Sequence, residues 1–193
     1  MPQGTRQLWL LAGGNGAGKS TFYRTQLESR NLPFVNADNI AKEIFPDAPE
    51  LHSYQAAAIA ENLRNDLLEE GISFCYETVF SHPSKIDFLA KAKAMGYETT
   101  LVFIHLSSAA LNKARISQRI EEGGHAVPED KIESRIPRTM QNIKTALLIA
   151  DQSFLLDNSD YDCPFQLVAR VKNGALLTNK KPLPDWVQYL VAL

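Results

Sequence analysis

The segment Gly13-Gly14-Asn15-Gly16-Ala17-Gly18-Lys19-Ser20 follows directly on the apolar run Leu8-Trp9-Leu10-Leu11-Ala12. It reads G-x-x-x-x-G-K-S between a strand and a helix, the setting in which such a loop wraps an anion. Glycines let backbone N–H groups turn inward, and the N-terminus of the following helix favours negative charge at the same point. Lys19 then reaches the β- and γ-phosphates, and the Ser20 hydroxyl goes to Mg²⁺. The nucleotide set is therefore Gly13, Gly14, Asn15, Gly16, Ala17, Gly18, Lys19 and Ser20, closed by Thr21, which packs or caps. The loop implies a nucleoside triphosphate, read here as ATP with Mg²⁺.

Strand and helix patterns alternate along the rest of the chain. Strands are expected at 8–12, 33–36, 72–76, 97–106 and 154–157, and helices at 20–30, 38–45, 51–70, 83–95, 107–121 and 128–150, the last with Pro137 inside it. A hairpin across Asn173-Gly174 and a short helix at 184–191 close the chain. The expected class is α/β, a P-loop NTPase: a mostly parallel sheet of about five strands, helices on both faces, a kinase-like lid and a C-terminal hairpin. No linker or repeat divides the 193 residues, so residues 1–193 read as a single P-loop kinase domain with a lid at about 119–138.

With 20 Lys+Arg against 22 Asp+Glu, the formal charge is −2, which opposes a general nucleic-acid binder. Cys75 and Cys163 form no C-x-x-C pair and sit among apolar or aromatic neighbours, so both are expected as buried free thiols. The longest apolar stretch, around 101–111, contains His105, Ser107 and Ser108 and is too short to span a bilayer. A cytoplasmic protein is expected, with no membrane partner.

The loop alone does not separate kinases from switches and transporters. No Asp is followed by Gly three residues later, Asn-Lys-x-Asp is absent, and no Leu-Ser-Gly-Gly occurs. No strand ends in four apolar residues plus Asp. A kinase needs a metal, a proton acceptor and cations around the transferred group. Asp38 follows the second strand, where it either takes a proton or caps the next helix. Glu77 and Thr78 at the end of the third strand form a shelf for an acceptor, or a plain strand end. Arg115, Arg119, Arg135 and Arg138 flank the Gly123-Gly124-His125 loop as a lid would, or pair with the acidic residues around them. His125 either touches phosphate or substrate or lies free on the surface. His52, His82 and His105 show no metal spacing.

Ala12 to Thr21, then Asn36-Ala37-Asp38-Asn39-Ile40-Ala41, Tyr76-Glu77-Thr78, Arg119 with Gly123-Gly124-His125-x-Val127-Pro128, Arg135-Ile136-Pro137-Arg138-Thr139, and Asp157-Asn158-Ser159 together resemble the zeta toxin family of P-loop kinases. The resemblance covers about residues 8–160 and is to its compact branch. It implies ATP-dependent phosphorylation of a sugar hydroxyl of UDP-N-acetylglucosamine, and an antitoxin partner. It implies Lys19 and Ser20 for ATP and Mg²⁺ and Asp38 as catalytic base. Glu77 and Thr78 would bind the acceptor, Arg119 with Arg135 or Arg138 the transferred phosphate, and Asn158 would lie near the adenine. Two other readings stay open: a nucleotide-binding interaction module of a toxin–antitoxin pair without this turnover, and a kinase for another alcohol or a nucleic-acid end.

Overall fold

The apolar run at the start of the chain becomes β1 (Gln7–Ala12). Its Leu8, Leu10 and Ala12 enter one buried cluster with Tyr76, Phe88, Phe103 and Ile143. Trp9 and Leu11 enter another with Leu27, Cys75 and Ile104. Both faces of the strand are therefore covered, which is why it shows no alternation. The computed structural model describes residues 5–107, 111, 115, 129–178 and 182–192.

β1 lies parallel between β3 (Phe74–Thr78) and β4 (Glu98–His105). β2 (Phe34–Val35) extends the sheet beyond β3, and β5 (Gln152–Asp157) beyond β4, all parallel. β6 (Gln166–Lys172) and β7 (Ala175–Leu177) add an antiparallel hairpin, for the order β2-β3-β1-β4-β5-β6-β7. Asn173 and Gly174 have φ of 49° and 77°, the left-handed pair that a two-residue hairpin turn needs. The expected class is thus found, with seven strands.

The parallel registers align Ala12 with Thr78 and with Phe103, and His105 with Asp157. The carboxyl ends of β1, β3, β4 and β5 therefore share one edge, where ligands of open α/β sheets bind.

The first helix departs from expectation. It is α-helical only over α1 (Lys19–Phe22), then π over Tyr23–Leu27 and 3₁₀ over Glu28–Arg30. The Thr25 hydroxyl donates to the Thr21 carbonyl at 3.0 Å, a bond that competes with the regular ladder. α2 (Ala37–Ile44), α3 (Ser53–Glu69) and α4 (Ser84–Ala94) follow. α5 (Glu129–Ile149) runs on through Pro137, and α6 (Asp185–Val191) is last. The helix expected at 107–121 lies almost wholly outside the described residues. The third strand begins later than expected, because Gly71 (φ 73°) ends α3 and the Ile72 N–H turns back to the Leu67 carbonyl.

Among the described residues, no helix is long and apolar enough to cross a membrane. Cys75 is buried as expected, but Cys163 is exposed. It sits in the β5–β6 loop, where residues 160–164 are all exposed and the neighbouring apolar side chains provide no cover.

Candidate nucleotide and transfer site

Two glycines of the loop are held by close approach. A Cβ on Gly13 (φ 153°) would lie 2.5 Å from the Ile104 carbonyl oxygen. One on Gly18 (φ 92°) would lie 2.6 Å from Asn158 Nδ2 and 3.3 Å from the Phe165 ring. Only a residue without a side chain fits both the space and the backbone. Asn158 is 5% exposed and spends its amide on the loop's frame. Its Nδ2 donates to the Ala17 carbonyl at 2.9 Å, and its Oδ1 accepts from the Phe165 N–H at 3.1 Å. Its own N–H donates to the His105 carbonyl at 3.0 Å. This buttress joins three loops at the sheet edge. The Thr21 side chain is exposed.

Lys19 is 7% exposed and donates to the Gly14 carbonyl at 3.0 Å. Its Nζ also lies 3.7 Å from Glu77 Oε1. The second oxygen of Glu77, Oε2, accepts from the Ser20 hydroxyl at 2.8 Å and from Asn36 Nδ2 at 2.7 Å. Glu77 ends the run Phe74-Cys75-Tyr76 on the strand beside β1. It therefore stands where a strand-end carboxylate is sought in a P-loop protein, with Glu in place of Asp. Extension of β3 to Thr78 is what aims it at the loop; its neighbour Tyr76 faces the opposite cluster.

Asn36 stands immediately before α2. Its Oδ1 accepts from the N–H groups of Asp38 and Asn39 at 2.8 and 3.1 Å, which makes it the N-cap of α2. Asp38 is thereby freed of that task. Its carboxylate is exposed and meets no hydrogen-bond or ion-pair partner among the described residues. Thr78 turns its hydroxyl to the Phe80 N–H at 3.1 Å.

Of the arginines, Arg135 is brought to the loop: its Nη1 donates to Asn15 Oδ1 at 3.4 Å. Arg138 is exposed and bonds back to Ser134 on its own helix, Nε to the carbonyl at 3.0 Å and Nη2 to the hydroxyl at 3.3 Å. Arg119, Gly123, Gly124 and His125 lie outside the described residues.

His105, which sequence gave no role, ends β4 beside the loop. Its ring stacks on Trp186 of α6 at 4.4 Å. Burial lowers its pKa to about 4, against a smaller upward pull from Asp157. It is a neutral ring at the edge of the site.

The donor set suits a magnesium ion. Ser20 and Glu77 present hard oxygens, and Mg²⁺ takes few protein ligands while keeping waters and substrate phosphates. Among the described residues no group of three or more His, Cys, Asp or Glu could hold a metal. Lys19, Ser20, Glu77, Asn36 and Arg135 thus meet at the loop, and Asp38, two residues beyond Asn36, is exposed with no partner among the described residues.

The zeta toxin family model matches residues 1–161. A protein of Haemophilus influenzae that carries no assigned function is 30% identical over 137 residues, covering 67% of this chain and 97% of that protein. Among solved structures, the PezAT chromosomal toxin–antitoxin system of Streptococcus pneumoniae superposes with a TM-score of 0.67 at 17% identity, over 86% of this chain and 72% of that one. The AvrRxo1-ORF1:-ORF2 complex superposes with a TM-score of 0.68 at 15% identity, over 92% of this chain and 62% of that one. The same complex with ATP gives 0.60 at 14% identity, over 92% and 61%. This chain therefore spans about three-fifths of the AvrRxo1 chain it matches.

Proposed function

Because the chain belongs to the zeta toxin family, we propose that it is an ATP-dependent kinase acting on a hydroxyl of a small molecule. A UDP-activated amino sugar such as UDP-N-acetylglucosamine is the leading acceptor. The observation that carries the kinase reading is the convergence on Glu77, which joins Lys19, Ser20 and Asn36, with Asp38 two residues beyond Asn36 exposed and without a partner among the described residues. Simple nucleotide binding does not require that second carboxylate.

The chemistry follows from these positions. The loop N–H groups and Lys19 hold the triphosphate, and Arg135, already at Asn15, supplies charge beside the γ-phosphoryl group. Ser20 and Glu77 would hold Mg²⁺, which neutralises charge on the β- and γ-oxygens when bound. The acceptor oxygen forms its bond to the γ-phosphorus as the bond to ADP breaks and its electron pair leaves with ADP. Asp38 accepts the hydroxyl proton. Thr78 beside Glu77 lines the acceptor side; by the family resemblance Arg119 would act on the transferred phosphate and His125 on the substrate. Asn158 supports the loop from beneath and would border the adenine.

We read residues 1–193 as one kinase domain, working in the cytoplasm where ATP and sugar nucleotides meet. An antitoxin is its expected protein partner, since the PezAT system is a toxin–antitoxin pair. The direct test incubates the protein with ATP, Mg²⁺ and a mixture of sugar nucleotides and follows them by mass spectrometry. The reading requires one acceptor to gain one phosphate in the wild type and none with Lys19→Ala. ATP binding with no acceptor-dependent ADP release over a wide metabolite panel would favour the interaction-module alternative.

A further inference from the structure

The turn after β3 holds an unfavourable backbone beside the site. Phe80 has φ of 64° and a fully buried side chain. A bulky residue in that region persists only where its surroundings over-determine it. Three hydrogen bonds do so. The Phe80 N–H donates to Thr78 Oγ1 at 3.1 Å, and the Phe80 carbonyl accepts from Asn142 Nδ2 at 2.9 Å. The Val79 carbonyl accepts from Thr139 Oγ1 at 3.0 Å.

Thr139 and Asn142 are 3% and 7% exposed and stand three residues apart, on one face of α5. Arg135 precedes Thr139 by four residues on the same helix and reaches Asn15 in the loop. The connections close on themselves. From the loop, Ser20 bonds Glu77, whose strand runs into the 79–80 turn. That turn is clamped to α5, and α5 returns to the loop through Arg135.

We infer that Thr139 and Asn142 are positioning residues that fasten the Glu77–Thr78 end of β3 to the helix carrying Arg135. Filling the nucleotide loop is then transmitted to residues 78–80, and the acceptor shelf is set relative to the phosphate-binding arginine. Side-chain hydroxyl and amide donors are needed here because the turn leaves the buried Phe80 carbonyl and the partly buried Val79 carbonyl without a sheet partner. The kinetic part of this inference rests on the kinase reading; the mechanical part does not.

Hydrogen–deuterium exchange tests it in the full chain, with and without a non-hydrolysable ATP analogue and Mg²⁺. In the wild type, nucleotide should slow exchange at 13–20 and also at 78–82. Thr139→Val and Asn142→Ala should keep the protection at 13–20 and lose it at 78–82, and Thr139→Ser, which retains the hydroxyl, should restore it. In the transfer assay the first two variants should lose about 10- to 100-fold in kcat, as expected for a misplacement of about 1 Å, with the KM for ATP little changed. Equal protection at 78–82 in all variants overturns the inference, as does an ATP KM that rises in step with the fall in kcat. A wild type that transfers no phosphate yet shows the exchange pattern removes the kinase reading and leaves the coupling standing. Should Asn142→Ala fail to fold, Thr139→Val decides alone, because it swaps a hydroxyl for a methyl at nearly constant volume.

Discussion

Replacing Glu77 separates a metal-binding carboxylate from an acceptor-binding one. The side chain is 11% exposed, with Ser20 and Asn36 donating to Oε2 at 2.8 and 2.7 Å and Lys19 3.7 Å from Oε1. Each bond to a charged group is worth about 1.5–3 kcal/mol. Glu77→Ala loses both and removes the carboxylate 3.7 Å from Lys19, so the cost is about 3–5 kcal/mol, the range for breaking a buried ion pair. Glu77→Gln is gentler. Its carbonyl takes the place of Oε2 and keeps both bonds, now neutral and about half as strong. The cost is then about 2 kcal/mol, to which the amide group facing Lys19 adds a little. With m near 2 kcal/mol/M in urea, the midpoints should fall by about 1 M for Gln and about 2 M for Ala at unchanged m. Turnover is next titrated against Mg²⁺ at fixed ATP, and separately against acceptor. If the carboxylate faces the metal, Glu77→Gln raises the Mg²⁺ requirement about tenfold or more while the acceptor KM moves little. An unchanged Mg²⁺ requirement with a raised acceptor KM refutes the reasoning and returns Glu77 to the acceptor shelf. Midpoints within about 0.2 M of wild type would refute the energetic part.

Three further outcomes are expected. Asp38→Ala should lower transfer by about 10²–10⁴ while calorimetric ATP affinity stays near wild type, because its carboxylate supports no other part of the described structure. Gly18→Ala should abolish nucleotide binding and cost about 1–3 kcal/mol of stability, read by urea midpoint, since its Cβ must meet Asn158 Nδ2 at 2.6 Å on a left-handed backbone. His105 has a folded pKa of about 4 against an ordinary 6.5, so its share of stability is complete above 6.5 and is lost as pH falls toward 4. The pH dependence of the urea midpoint should flatten in that window for His105→Phe, and an unchanged profile would show that the ring is not held neutral by burial.

The architecture was legible because its signals are local. An unalternating apolar run before a glycine loop, repeated strand and helix periods, and Asn173-Gly174 each fix a short piece of backbone, and the pieces admit one kind of sheet. Element boundaries shifted where one residue redirected the backbone, the Thr25 hydroxyl in the first helix and the left-handed Gly71 before β3. The loop glycines and Lys19 were legible for the same reason: the motif carries its own geometry. Glu77 was picked out as a strand-end carboxylate, but its partners were not. Ser20 and Asn36 lie 57 and 41 residues away in the chain, and nothing in their spacing foretells that they meet on one oxygen. Asp38 and Asn36 both suit a cap, and only the observed bonds show which one serves.

That division has a physical cause which bears on how the site works. A loop that must accept a triphosphate carries no packed core of its own, so its shape depends on what is brought against it. Here Asn158 arrives from β5, Glu77 from β3 and Arg135 from α5, and each meets the loop with a side-chain hydrogen bond or an ion pair. Two of these contacts, at Lys19 with Ser20 and at Asn15, involve groups that nucleotide would claim for itself. Asn158 instead donates to the Ala17 carbonyl, and a phosphate, itself an acceptor, cannot take the place of that donor. On nucleotide binding, the Asn158 contact should therefore persist while the Glu77 and Arg135 contacts exchange partners. A double-mutant cycle can see this. The coupling of Asn15→Ala with Arg135→Ala, measured by urea midpoint, should shrink when saturating ATP is added, because the guanidinium then serves phosphate instead of Asn15. A coupling that is the same with and without nucleotide would mean that Arg135 stays on Asn15 throughout, and the arginine acting on the γ-phosphoryl group would have to be sought elsewhere on the lid.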